Sequence, residues 1–318
     1  MKKLLIVLFI PLYFAGCIGA AIEQFPSEIT DAYSLYKLGN KILQKGDYTT
    51  AAGIYLDSYN KFSLVDFIPG KIEAALKIAV SLKQSNDTSG AFSRIEEVNM
   101  LLPYHPSKRI DYLKTLAEFY FIENKYKEVL LLPESVQPGN KDIIILAFKL
   151  LSGSAINSLP ENIIPDLNEA VKIGESLYKK DELINPVELS FALYSLAYKY
   201  FENKNYNDSE IGFIKALEID KKYSNYQGIA ASLYMIGQVN KETKNYDEGI
   251  VYFSRAMSIY NALGDIHGFE NANIELLNLN IISGNNSSRS IEQLRSFYSN
   301  TQFPDLKEKA ARYLKLIN

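Results

Sequence analysis

The chain has 318 residues, which is enough for two ordinary domains or for one extended repeat structure. Its formal net charge is −3, which argues against a nucleic-acid-binding protein that depends on an overall basic field, so we expect no nucleic-acid partner. The chain holds a single cysteine and therefore cannot form an internal disulfide bond.

The first seventeen residues read MKKLLIVLFIPLYFAGC, with two lysines, an apolar run, and two small residues before Cys17. The apolar run covers eleven residues, 4–14. A helix that spans a bilayer needs about twenty residues, so this run has the length of a signal-peptide core instead.

The order of these features resembles the signal of bacterial lipoproteins, in which the cysteine becomes the lipid-modified first residue of the mature protein. Phe14 stands where that signal usually has leucine. The resemblance implies a signal peptide at 1–16, lipid attachment at Cys17 and a lipidated tether at 17–29. It also implies a membrane-anchored lipoprotein of the bacterial cell envelope, facing the periplasm or the outside. The alternative is that Cys17 is an incidental cysteine at the end of a plain signal peptide.

From residue 30 onward the chain repeats one pattern at intervals of about forty residues. A first copy at 32–62 combines Gly39 with a Gly-Asp-Tyr turn. The two clearest copies, 190–222 and 230–262, each consist of a helix with apolar residues at three- and four-residue spacing, a Lys-Asn-Tyr turn and a second helix. Equal positions of these two copies pair Leu193 with Leu233, Phe213 with Phe253, and Ala216 with Ala256.

This pattern resembles the tetratricopeptide repeat (TPR), whose units are antiparallel helix pairs that stack into a solenoid. Ala197 and Gly237 are small where the second helix of each clear unit crosses the first. Phe213 and Phe253 are expected to fill the space between neighbouring units. The units begin near Ala32, Ile72, Ile110, Ser190, Ala230 and Glu270.

A degenerate unit at 140–180 is needed to fill the gap before Ser190. Pro133 is expected to cut short the second helix of the preceding unit, and Pro304 begins a final amphipathic helix. The resemblance therefore implies an all-α, right-handed TPR-like solenoid of about seven helix pairs over residues 30–318, with a C-terminal capping helix that covers the last repeat.

The sequence lacks the common catalytic and metal-binding patterns. Its two histidines, His105 and His267, read as loop residues, and there is no histidine pair at helical spacing, no cysteine cluster and no acidic loop. A phosphate-binding loop, a dinucleotide-binding glycine fingerprint and a Gly-x-Ser-x-Gly elbow are also missing. We therefore expect no metal site, no small-molecule cofactor and no enzymatic activity.

In TPR arrays the first helices line a concave groove through repeat positions two, five, nine and twelve. Transferred to this sequence, these positions hold several aromatic side chains, which favours a binding surface. The alternative is that neighbouring helices cover them. The candidate residues are Tyr36 and Asn40 in the first unit, Phe191, Tyr194, Tyr198 and Phe201 in the unit at 190–222, and Tyr234, Gln238 and Lys241 in the unit at 230–262.

These features predict a lipid-anchored envelope protein that serves as a scaffold or adaptor. It would bind a protein or peptide partner in its concave groove and the membrane through its lipid anchor. The alternative is a structural accessory subunit of an envelope assembly complex.

Overall fold

The computed structural model describes residues 27–135, 141–183, 185–285 and 287–317, and all regular structure in these ranges is helical. Cys17 and the predicted signal peptide lie outside the described residues. None of the described helices is both long and apolar enough to cross a bilayer. The helices are α1 (Ser27–Leu43), α2 (Tyr48–Leu64), α3 (Ile68–Gln84), α4 (Thr88–Leu101), α5 (Arg109–Ile122), α6 (Tyr126–Leu131), α7 (Ile143–Ala155), α8 (Ile163–Lys179), α9 (Pro186–Glu202), α10 (Tyr206–Lys222), α11 (Tyr226–Glu242), α12 (Tyr246–Leu263), α13 (Ile266–Ile282), α14 (Ser287–Asn300) and α15 (Pro304–Ile317).

The described helices form seven consecutive pairs, from α1 and α2 to α13 and α14, followed by α15. Most helices pack mainly against the helices that precede and follow them in the sequence, as the units of a solenoid do, whereas α7 packs most extensively against α9. Equivalent helices of the two clearest units begin forty residues apart, since α9 starts at Pro186 and α11 at Tyr226. The predicted all-α solenoid of about seven helix pairs with a closing C-terminal helix is confirmed.

The Lys-Asn-Tyr turns reverse the chain in the same way in both clear units. Lys204 and Lys244 adopt left-handed backbone conformations with φ of 60° and 65°. The Asn205 N–H then donates to the Tyr200 carbonyl, and the Lys204 N–H donates to the Phe201 carbonyl, both at 2.9 Å. These bonds satisfy the last carbonyl groups of α9, and the next helix can begin directly after the turn.

The core follows the predicted alternation of large and small residues. Phe213 and Phe253 are fully buried, as are Ala197 and Ala256. A Cβ atom placed on Gly237 would lie 2.8 Å from Cε1 of Phe253, which is closer than real side-chain contacts. Glycine at this position therefore lets α11 and α12 approach each other around the Phe253 ring.

The fourth pair differs most from the others, as its weak sequence pattern predicts. The sequence places its helices at 143–151 and 165–178, and both are longer in the structure because α7 extends to Ala155 and α8 starts at Ile163. The preceding helix α6 has only six residues and ends two positions before Pro133. With so short a neighbour, α7 contacts α5, α6, α8 and α9, and it is therefore buried on nearly all sides.

Helix α15 closes the last pair. Its apolar side chains Leu306 and Ala310 are buried against Ile274, Leu277 and Leu294 of α13 and α14. This burial covers the face that a further repeat would otherwise occupy, which is the role predicted for the final helix.

Candidate functional site

The first helices of six successive pairs surround one cavity of about 730 Å³, which we call the central cavity. Its wall comprises parts of α1, α3, α5, α7, α9 and α11, together with Lys108 directly before α5, the end of α10 and the segment between α10 and α11. The aromatic and charged residues that line it are Tyr36, Phe148, Phe191 and Tyr194, the acids Glu73, Asp111, Glu118, Glu188 and Asp220, and the lysines Lys77, Lys108 and Lys114.

The solenoid bends until its first pair touches its sixth. The Gln227 side chain on α11 donates a hydrogen bond to the Tyr48 hydroxyl at the start of α2, although 179 positions separate the two residues. Beside this contact, Gly46 lies against the end of α12, where an added Cβ would be 3.0 Å from the Leu263 carbonyl oxygen. Gly46 also has a φ of 80°, which favours glycine. The first helices therefore face one another around a cavity instead of following an open groove.

The aromatic side chains of the central cavity are held by rings behind them. The Tyr194 ring meets the buried Phe213 ring edge-on at a centroid distance of 5.2 Å, and Phe191 packs on Phe148 at 4.8 Å. Tyr36 stands on Tyr55 at 5.5 Å in the same manner as Tyr194 on Phe213. These contacts fix the orientation of each ring at the cavity wall.

Two hydroxyl groups of this wall are available for a ligand. Neither the Tyr36 nor the Tyr194 hydroxyl makes a hydrogen bond within the part of the chain that the structure describes. Burial is the main cause that raises the pKa of both hydroxyls, so both stay protonated at neutral pH. Each can therefore donate one hydrogen bond into the cavity and accept another.

Two of the three lysines in the wall are each paired with two carboxylates. Lys114 Nζ lies 2.9 Å from Glu188 and 3.2 Å from Asp142. Burial alone would lower the pKa of Lys114, but these two carboxylates together raise it. Lys108 likewise pairs with Glu73 and, at 3.5 Å, with Asp111. Both lysines are therefore protonated, and carboxylates of the same chain already balance their charges.

Lys77 and Glu118 form no such pairs. Among the described residues, neither side chain makes an ion pair or a hydrogen bond, although both line the cavity. Burial raises the pKa of the Glu118 carboxyl, and the nearby charge of Lys77 opposes that effect only in part. Glu118 is thus a half-buried carboxylate with unused acceptor atoms.

Asp220 is a carboxylate with hydrogen bonds but no cation. It is 2% exposed and accepts hydrogen bonds from the Ser190 hydroxyl and, at 2.8 Å, from the Asn225 amide. Burial raises its pKa, and the two hydrogen bonds act in the opposite direction. No lysine, arginine or histidine within the described ranges forms an ion pair with it.

The structure separates the candidate residues named from the sequence into three groups and the single residue Asn40. Tyr36, Phe191 and Tyr194 line the central cavity. Tyr198 and Phe201 lie on the same helix as Tyr194 but do not line the cavity, and they pack against the core of the fifth and sixth pairs.

Asn40 does not line the cavity and instead forms a hydrogen bond within the first helix pair. Its side-chain oxygen accepts a hydrogen bond of 2.7 Å from the hydroxyl of Tyr55, whose ring is fully buried. The bond satisfies a buried hydroxyl group within the first helix pair, so this polar group of Asn40 is already occupied.

The third group, Tyr234, Gln238 and Lys241, lies under α15. Gln238 Nε2 donates to the Tyr234 hydroxyl at 2.8 Å, and Lys309 Nζ of α15 donates to the same hydroxyl at 3.1 Å. Lys241 Nζ lies 2.9 Å from Glu275 of α13 and 3.3 Å from the Tyr313 hydroxyl of α15. The sequence predicts an open groove at these three residues, but the capping helix occupies that space.

Sequence reasoning named none of the eight charged residues that line the cavity. The candidates named from the sequence come from the three clearest units only. The same repeat positions two, five and nine, counted from Ile72 and Ile110 in the two weaker units, all fall on residues that line the cavity. These residues are Glu73, Leu76, Val80, Asp111, Lys114 and Glu118.

No protein-family model and no curated protein matches the sequence. Among solved structures, the chain is similar to a signal transduction ATPase with numerous domains (STAND) protein with a tetratricopeptide repeat sensor from Pyrococcus horikoshii, with a TM-score of 0.49 and 15% sequence identity. The similarity covers 92% of this chain and 49% of that protein, so the chain spans about half of that protein's length.

Proposed function

We propose that the protein binds a short peptide segment of a partner protein in the central cavity, and that it acts by binding and not by catalysis. The observation that carries the proposal is a cavity of about 730 Å³ walled by the first helices of six successive pairs. This volume lies within the range of about 300–1,000 Å³ that is typical of ligand pockets. It is too small for a folded domain, so a protein partner would contribute only a segment.

The chemistry of the wall supports a peptide as the ligand. Phe191 and Phe148 offer apolar surface for side chains, and the hydroxyls of Tyr36 and Tyr194 offer both donors and acceptors. A peptide backbone needs such donors and acceptors when it leaves water, because each unpaired backbone group costs free energy. The rings that hold these tyrosines keep the hydroxyls in place before binding, which lowers the entropic cost.

Replacing Tyr194 with phenylalanine is expected to weaken peptide binding about three- to tenfold. The substitution keeps the ring on Phe213 and removes only the free hydroxyl, and one hydrogen bond contributes about 0.5–1.5 kcal/mol. The probe is a library of hexapeptides with blocked termini, from which binders to the wild-type protein are selected and measured by fluorescence anisotropy.

The matched control is Tyr198→Phe, which removes a hydroxyl from the same helix outside the cavity wall. It is expected to bind the selected peptides like the wild-type protein. If Tyr194→Phe also binds them unchanged, the Tyr194 hydroxyl does not contact the ligand. If the wild-type protein retains no peptide from the library, the proposed function is wrong.

We also propose that the protein is held at the membrane of a bacterial cell envelope by a lipid on Cys17. The support is the sequence alone, with two basic residues, an apolar run of eleven residues and the Ala-Gly-Cys sequence. One acyl chain holds a protein only marginally and two hold it stably, so a multiply acylated Cys17 would be a durable anchor.

Replacing Cys17 with alanine is expected to release the protein from membranes or to stop its processing. The measurement is the distribution of the protein between membrane and soluble fractions of the expressing bacterium, with the mass of the N-terminal peptide. A Cys17→Ala protein that is processed normally and stays in the membrane fraction would show that the anchor lies elsewhere.

A further inference from the structure

We infer that the peptide bound in the central cavity carries a positively charged side chain, and that this side chain pairs with Glu118. The inference rests on the proposed peptide-binding function and specifies its ligand. It is carried by the balance of charges around the cavity, by the unused carboxylate of Glu118 and by the aromatic side chains of the wall.

The charges around the cavity have an excess of carboxylates. Five acids and three lysines line it, which gives a formal net charge of −2. Lys108 and Lys114 cannot compensate the remaining acids, because each already faces two carboxylates of its own. The potential inside the cavity therefore favours a cation over an anion.

Glu118 is the carboxylate best placed to receive that cation. It lines the cavity from the middle of α5, and its side chain has no hydrogen bond or ion pair within the described residues. Burial disfavours its ionised form, as the raised pKa of its carboxyl shows. A cationic partner would favour the ionised form of Glu118 and offset this cost, whereas a neutral or anionic side chain would not, so the pairing selects for a cation.

Two further features of the wall suit a cation. Asp220 adds a second negative charge that no basic side chain of the described chain pairs with. Tyr36, Phe191 and Tyr194 supply aromatic rings, whose faces attract lysine and arginine side chains. Among the described residues of the wall, Lys77 is the lysine without a carboxylate partner, so its charge opposes the binding of a cationic side chain. Removing that charge is therefore expected to tighten the binding of a cationic peptide.

The experiment compares three libraries of hexapeptides with blocked termini and no other charged residue, in which one position is fixed as lysine, norleucine or glutamate. Peptides are selected on the full-length protein. The affinity of each selected peptide is measured by fluorescence anisotropy, together with the affinities of the two peptides that differ from it only at the fixed position. Lysine peptides are expected to bind the wild-type protein about tenfold more tightly than the norleucine counterparts. Glu118→Gln is expected to abolish this difference, and Lys77→Gln is expected to tighten lysine-peptide binding about threefold.

The matched control is Glu96→Gln, which removes an exposed acid from α4 outside the cavity wall and is expected to leave the tenfold preference intact. If norleucine or glutamate peptides bind the wild-type protein as tightly as lysine peptides, the inference is wrong and peptide binding still stands. The inference also fails if Glu118→Gln weakens lysine and norleucine peptides equally, since Glu118 then acts through packing. Binding of no library to the wild-type protein would overturn the proposed function itself.

Discussion

Replacing Phe213 with alanine is expected to lower the free energy of unfolding by about 3–5 kcal/mol. The Phe213 side chain is 0% exposed and fills the space between the fifth and sixth helix pairs, where it contacts the core formed with Ala197, Leu217 and Leu233. Alanine would leave a cavity at the junction of neighbouring repeats, and a solenoid depends on such junctions for its stability. The measurement is a urea titration followed by far-ultraviolet circular dichroism.

The matched control for this experiment is Ile211→Ala on the same helix, because Ile211 is 48% exposed. Its expected cost is below about 1 kcal/mol. A Phe213→Ala protein that unfolds at the same urea concentration as Ile211→Ala would show that this junction contributes little.

Tyr194→Ala belongs in the same series. The Tyr194 ring meets the Phe213 ring edge-on at a centroid distance of 5.2 Å, so it contributes to the core as well as to the cavity wall. Tyr194→Ala is therefore expected to cost an amount of stability between those of Ile211→Ala and Phe213→Ala. For this reason the binding test uses phenylalanine at position 194.

Replacing Glu275 with glutamine is expected to lower the free energy of unfolding by about 3 kcal/mol at neutral pH. Glu275 is 1% exposed and lies 2.9 Å from both Lys241 and Lys309, and it accepts a hydrogen bond of 2.8 Å from Tyr313. The neutral amide would leave two lysines without their shared carboxylate, and breaking a buried pair in this way costs about 3–5 kcal/mol. The contact joins α11, α13 and α15, so its loss should loosen the capping helix first.

The same substitution predicts how stability depends on pH. Burial alone would raise the pKa of Glu275, but Lys241 and Lys309 outweigh it and lower the pKa to about 2, from 4.5 in the unfolded chain. A lowered pKa means that the stabilisation is complete above pH 4.5 and is lost as the pH falls toward 2. The stability difference between the wild-type protein and Glu275→Gln should therefore shrink steadily over that window.

Two controls separate the charge of Glu275 from its packing. Glu308→Gln removes an exposed acid from α15 and is expected to change stability by less than about 0.5 kcal/mol. Adding Lys309→Gln to Glu275→Gln removes one of the unpaired lysines and is expected to restore about 1 kcal/mol. If Glu275→Gln unfolds like the wild-type protein at every pH, the lysines reach water without their partner and the cluster does not hold α15.

The repeat and its core follow from local patterns in the sequence. The forty-residue spacing, the Lys-Asn-Tyr turns and the pairing of Phe253 with Gly237 predict helix pairs that the structure contains. The sequence predicts these features because every contact that they specify lies within one helix pair or between adjacent pairs. The amphipathic segment after Pro304 predicts the closing helix for the same reason, since it packs on the pair directly before it.

Which surfaces remain open depends on contacts between distant repeats. The contact of Tyr48 with Gln227 depends on small rotations summed over six pairs, and no local pattern specifies that sum. The same geometry places Glu118 in a cavity that it shares with residues of distant repeats. Conversely, α15 folds back over Tyr234 and its neighbours because Lys309 and Tyr313 satisfy the buried Glu275. Residues at equal repeat positions, such as Tyr194 and Tyr234, therefore have different environments because their distant neighbours differ.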